Sequence, residues 1–210
     1  MNLVIFGPPG SGKGTQAKLI EKRRGLPQLS TGDMLRAAIA AGTELGKKCQ
    51  AIMASGDLVP DEIVIGIIAE RYDRPDCAKG AVFDGFPRTI PQAEALDAML
   101  KARDRKIDLV IELKVDDAVL IGRVEHRIKQ NEGAIRADDT PETLKNRLAV
   151  YYKNTAPLIE YYKKQGKLVT VDGMAPIDQV SKAIAAALDE AGRRGCLGLG
   201  EAWKSLGLAS

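Results

Sequence analysis

The stretch Gly7-Pro8-Pro9-Gly10-Ser11-Gly12-Lys13-Gly14-Thr15 follows directly on the apolar run Leu3–Phe6. A glycine-rich segment of this kind bends tightly and turns successive backbone N–H groups toward one point. A helix beginning there adds the positive end of its dipole, and Lys13 adds a mobile cation. Together these are the means of holding phosphate. The phosphate-loop consensus G-x-x-x-x-G-K-[ST] is met by Gly7, Gly12 and Lys13. The next residue is Gly14, however, and the threonine arrives one place late as Thr15. The hydroxyl that the consensus assigns to Mg²⁺ is therefore out of place. Without a strand before it and a helix after it, the same stretch is only a glycine-rich turn carrying an exposed lysine.

Asp84 ends a second apolar run, Ala81-Val82-Phe83, and opens the segment Asp84-Gly85-Phe86-Pro87-Arg88-Thr89. A carboxylate at a strand end can face Mg²⁺ or its waters, although a lone one more often caps a turn. Here Gly85 permits close approach, Pro87 stiffens the loop, and Arg88 offers a two-pronged fork for phosphate. Arg123 and Arg127 lie four apart on an expected helix and so project from one face. Arg136 precedes Asp138-Asp139, and Arg147 lies further along. Singly these arginines read as solvated surface charge; as a group they suit the charge on a transferring phosphoryl group.

The elements that must position these groups alternate. Strands are expected at Leu3–Phe6, Gln28–Ser30, 81–84, 107–115 and 168–171, with helices of ten or more residues between most of them. Lys13 to about Arg24 is helical, closed by Gly25; Ser30 or Thr31 caps a helix reaching Ala41 and closed by Gly42. Another runs from Glu44 to Ser55 and ends at Gly56, and Pro60-Asp61 opens the next. This order implies a parallel sheet with helices on both faces, whose strand ends deliver Gly7 and Asp84 to one edge. Tyr151, Tyr152, Tyr161 and Tyr162 fall on one long helix after Pro141, as core and rim rather than ligand contacts.

Composition narrows the class. Hydrophobic residues make up 45% and charged residues 28% of 210, as in an ordinary globular domain. Lys+Arg 31 against Asp+Glu 28 leaves +3, too little bias for a nucleic-acid surface. Cys49, Cys77 and Cys196 share no C-x-x-C spacing, which argues against a disulfide framework or a zinc site. No apolar stretch approaches the roughly 20 residues of a membrane span. A cytoplasmic, unanchored protein is expected.

The motifs "GPPGSGKGT", "STGDMLR", "GDLVPD", "DGFPRTIPQA" and "IRADD" followed by Arg147 occur in this order. With them the chain resembles the adenylate kinase family over about residues 1 to 190. The resemblance implies an α/β P-loop NTPase fold: a doubly wound five-stranded parallel sheet, a small monophosphate-binding lobe near 30–60 and a short lid near 124–136. The remaining residues, 191–210, depart from the family; in them Trp203, Leu206 and Leu208 suit a short amphipathic helix. In the family the G-K-G-T form is normal, and Mg²⁺ is held by substrate phosphates and waters with the strand-end aspartate behind them. Only "IKQNEGAI" separates Arg127 from Arg136, the short-lid form without zinc cysteines. His126 stands where the family often has glycine, and an exposed, non-catalytic role is expected for it.

The implied reaction is MgATP + AMP ⇌ 2 ADP by direct in-line transfer, with Mg²⁺ as cofactor, no zinc, and a monomer without nucleic-acid or membrane partners. The resemblance places ATP on Gly10, Ser11, Gly12, Lys13, Gly14, Thr15, Arg123, Arg127 and Gly173. It places AMP on Thr31, Arg36, Gly56, Asp57, Leu58, Val59, Gly85, Arg88, Gln92, Arg136 and Arg147. Catalysis is implied for Lys13, Arg88, Arg123, Arg127, Arg136, Arg147 and Asp84. No side chain binds the metal directly, and Asp84 reaches it through water. Gln92 lies four residues after Arg88, and a primary amide matches the N6 donor and N1 acceptor of adenine. The nearest alternative is a UMP/CMP kinase, against which Thr31, Leu58 and Gln92 weigh. From another class, a non-catalytic nucleotide-binding switch usually carries an N-K-x-D guanine motif, which is absent.

Overall fold

The computed structural model describes the backbone of residues 1–130 and 140–197, with side chains except at 125, 127–130 and 194–197. The chain order is β1 (Leu3–Phe6), α1 (Lys13–Arg24), β2 (Gln28–Ser30), α2 (Thr31–Ala40), α3 (Glu44–Ser55) and α4 (Asp61–Tyr72). After a 3₁₀ turn at Pro75–Lys79 come β3 (Val82–Asp84), α5 (Ile90–Lys101), β4 (Leu109–Lys114) and α6 (Asp117–Gln130). The chain continues with α7 (Pro141–Val150), a π turn at Tyr151–Thr155, α8 (Pro157–Lys164), β5 (Leu168–Asp172) and α9 (Ile177–Leu197).

The five strands form one sheet in the order β2-β3-β1-β4-β5, and every pairing is parallel. Strand alternation divides the core in two. Val4 and Phe6 of β1 join Leu29, Phe83 and Val110 on one face, under Ile68 of α4, Leu96 of α5 and Tyr162 of α8. Leu3 and Ile5 join Val82 and Ile111 on the other, under Ala17 and Ile20 of α1 and Val180, Ile184 and Leu188 of α9. The sheet is thus wound on both sides, as the alternation of strands and helices requires.

One expectation needs correction. The tyrosine-bearing segment is not one long helix, because the π turn separates α7 from α8. Pro157 lacks the N–H that would continue the α-helical ladder, and the N–H of Ala156 reaches back to the carbonyl of Tyr151 at 2.9 Å. The last helix, α9, runs through Leu197. The expected helix around Trp203 lies outside the described residues. Cys49 and Cys77 are buried free thiols, as expected.

Candidate active site

The loop after β1 turns into α1 at Gly12, whose φ of 95° is open to glycine and strained for any residue with a Cβ. No residue of the first turn of α1 is itself acidic. The Lys13 ammonium donates to the carbonyls of Gly7 and Pro8 at 2.7 and 2.9 Å. Ser11 Oγ is buried beside Gly7 with no partner among the described residues. Across the loop, Arg123 of α6 donates to the carbonyl of Gly173 at 2.8 Å, which ties α6 to the turn after β5.

Asp84 reaches this loop because β3 lies beside β1, with Ile5 and Asp84 in register. Its Oδ2 accepts from Gln28 Nε2 at 2.7 Å. A Cβ on Gly14 would come within 3.5 Å of that same oxygen. A side chain at position 14 would thus start in van der Waals contact with the carboxylate, and glycine leaves that side of Asp84 without one.

Three spaces that share Gly85 and Arg88 in their walls surround these groups. A cleft of about 730 Å³ runs along Gly10–Gln16, Asp84, Arg123 and the turn at 173–177, and the exposed His126 stands at its edge. A second pocket is lined by Thr31, Arg36, Gly56, Asp57, Leu58 and Val59 on one side and by Gly85, Arg88, Gln92 and Arg147 on the other. Between them, Lys13, Arg88, Arg147 and Tyr151 line a third space. Burial pushes the Tyr151 phenol far above its ordinary value, so it faces this space as a neutral group.

Comparison with known proteins decides the family. The adenylate kinase family model matches residues 5–167. The chain is 59% identical over 188 residues to the adenylate kinase of Phenylobacterium zucineum, covering 90% of this chain and 97% of that protein. It is 54% identical over 195 residues to that of Parvibaculum lavamentivorans, covering 93% and 95%. With the Nitrobacter hamburgensis adenylate kinase it shares 55% identity over 194 residues, 91% of this chain and 93% of the relative.

The chain belongs to the adenylate kinase family. It is a phosphotransferase of the P-loop class, and adenylate kinases act on ATP, AMP and ADP with Mg²⁺. The structure gathers most of the residues that the adenylate kinase motifs single out. Arg36 is ion-paired with Asp33 at 2.6 Å, and Thr31 donates to the Gly85 carbonyl at 2.9 Å. Gly56 closes α3 with a φ of 82°, and a Cβ there would lie 2.9 Å from Arg147 Cγ. Asn146 and Ser55 donate to Asp57 and hold its carboxyl below the usual range. The side chain of Arg127 and the whole of Arg136 lie outside the described residues.

Sequence reasoning missed three supports of this adenylate kinase site. Gln28 holds Asp84, Thr155 in the π turn donates to the Arg88 carbonyl at 3.0 Å, and Asp61 accepts from both Thr89 and Gln92. Asp61 was legible as a helix opener and as the end of the "GDLVPD" motif but not as a partner of Gln92, and Thr155 only as a residue within a helix. Among the described residues no group of three or more His, Cys, Asp or Glu side chains is placed to hold a metal, and no helix is long and apolar enough to cross a membrane.

Proposed function

We propose that the chain catalyses MgATP + AMP ⇌ 2 ADP by direct in-line transfer, with ATP along the phosphate loop and AMP in the pocket behind Arg88. The observation that supports this most strongly is the space lined by Lys13, Arg88 and Arg147, which shares Lys13 and Arg88 with the donor cleft and Arg88 and Arg147 with the acceptor pocket. Lys13 and the loop N–H groups would hold the donor phosphates. Arg36 and Arg88 would hold the acceptor phosphate, while Thr31, Leu58, Val59 and Gln92 surround its base. Arg123, Arg127, Arg136 and Arg147 would offset charge on the phosphoryl group in transfer, where one such arginine contributes roughly 10³ in rate.

The donor set at Asp84 suits Mg²⁺. One carboxylate on the wall of the cleft is the site of a cation that keeps most of its waters and takes its other ligands from phosphate. Bound with ATP, the metal supplies charge neutralisation between the phosphates. Asp84 would orient its waters, held in turn by Gln28. The segments near 30–60 and 124–136 are proposed as the lobes that close over the substrates, the second being a short lid without zinc. Small nucleotides are proposed as the partners of a cytoplasmic monomer, without nucleic acid or membrane; the near-even charge balance supports only the absence of a nucleic-acid surface.

A coupled assay offering AMP, UMP, CMP and GMP in turn tests the choice of acceptor. AMP should be preferred over each of the others. A UMP or CMP rate equal to that of AMP would replace this reading with a pyrimidine nucleotide kinase.

A further inference from the structure

The amide of Gln92 is held at both ends. The side chain is only 1% exposed. Its Oε1 accepts from the backbone N–H of Arg88 at 2.7 Å, and its Nε2 donates to Asp61 Oδ1 at 2.7 Å. Asp61 is fixed in turn, because its Oδ2 accepts from Thr89 Oγ1 at 3.0 Å. Thr89 Oγ1 itself accepts from the Gln92 backbone N–H at 3.2 Å, capping α5.

These partners are not interchangeable. A carboxylate only accepts and a peptide N–H only donates, so together they permit one orientation of the amide. Turned over, it would set Oε1 against the Asp61 carboxylate and its NH₂ against the Arg88 N–H. A primary amide has two donors and two lone pairs. One of each is committed here, which leaves one of each for a ligand in the pocket that Gln92 lines with Leu58 and Val59.

Bases divide into two classes at this edge. Adenine presents an amine donor beside a ring-nitrogen acceptor. Guanine and hypoxanthine present a keto acceptor beside a ring N–H donor. An amide can pair with either class, but only by turning over between them. We propose that Asp61 is a specificity-determining positioning residue, which locks the Gln92 amide so that it matches a 6-amino purine and opposes a 6-keto one. The proposal rests on the reading that Gln92 faces the acceptor base. Rejection then comes from a donor set against a donor and an acceptor set against an acceptor, rather than from size.

The test compares kcat/KM for AMP and for inosine monophosphate, which differs from AMP only in carrying the keto group and the ring N–H. Wild type, Asp61→Asn and Gln92→Met are measured at saturating ATP. The amide introduced by Asp61→Asn can turn either its oxygen or its NH₂ toward Gln92, which removes the Asp61 half of the lock and leaves only the Arg88 N–H, so the AMP to inosine monophosphate ratio should fall about tenfold in that variant rather than vanish. Part of that fall should be a gain with inosine monophosphate, and the KM for ATP should hold. A purely structural Asp61 would lower both acceptors in parallel, and that result overturns the proposal. If Gln92→Met collapses the ratio while Asp61→Asn leaves it within about twofold of wild type, the base reading survives and the lock is rejected. An unchanged ratio in Gln92→Met removes the base reading and the lock together. Should Asp61→Asn fail to fold, NMR of the wild-type protein decides. The Gln92 side-chain amide should show slow exchange and a through-bond coupling to the Asp61 carboxyl carbon, and an averaged, fast-exchanging amide overturns the lock.

Discussion

At the scale of single residues, the site depends on charges that neighbouring backbone holds in place. Lys13 is held by two loop carbonyls, an arrangement that keeps its ammonium beside the loop. Lys13→Met should lower kcat by about 10²–10³, the usual cost of removing one preorganised donor, as steady-state kinetics will show. Gly14 illustrates what sequence does and does not reveal. Its departure from the phosphate-loop consensus was visible at once, but its place against Asp84 required the distance between them. A second residue tests the core rather than the site. Tyr162 is fully buried, and its hydroxyl has no partner among the described residues. Tyr162→Phe removes that unpaired group and should stabilise the fold by about 1 kcal/mol, a rise of roughly 2–4 °C in Tm by calorimetry.

At the scale of elements, strand ends and helix starts aim the functional groups, and most of these were legible. The apolar runs marked β1 and β3, and Ser30 caps α2 as one of the two residues expected to; the caps Thr43, Thr89 and Thr140 came from the structure. What remained hidden depended on contacts far apart in the chain. The π turn brings Thr155 against Arg88, residues 67 apart, and no local spacing encodes that pairing. Thr155→Val keeps the shape but loses the donor, at a cost of about 1 kcal/mol. Its effect should be a higher KM for AMP with an unchanged KM for ATP. Gly56→Ala acts at the opposite wall. A positive φ costs a residue with a Cβ about 1–2 kcal/mol, and that Cβ would press on Arg147. The unfolding free energy from denaturant titration should fall by that amount, and the KM for AMP should rise as Arg147 shifts.

At the scale of the whole molecule, the doubly wound sheet follows from alternation that any parallel α/β chain must show, so its architecture was readable before its contacts were. Stability against pH is set by groups spread over the fold. Burial raises the phenols of Tyr72, Tyr161 and Tyr162, and burial with a bond to Asp117 pushes Tyr152 up to about 12. A raised folded value means stability that is whole below the unfolded value of about 10 and is lost as pH climbs through the folded values. Asp73 and Asp76, paired with Arg103 and Arg71, are lowered. Their small contribution is present above about pH 4 and fades below it. Urea midpoints should therefore hold from about pH 5 to pH 9.5 and fall between about pH 10 and 12.

The most direct test of the whole account follows the phosphoryl group itself by ³¹P NMR, in one sample of protein with Mg²⁺, ATP and AMP. Transfer between two nucleotides held in neighbouring pockets, with water excluded, predicts that ATP and AMP signals decline together into ADP. Inorganic phosphate should stay absent, and without AMP the ATP spectrum should stay as it began. Inorganic phosphate accumulating at the same rate with and without AMP would contradict the account, because the phosphoryl group would then be passing to water.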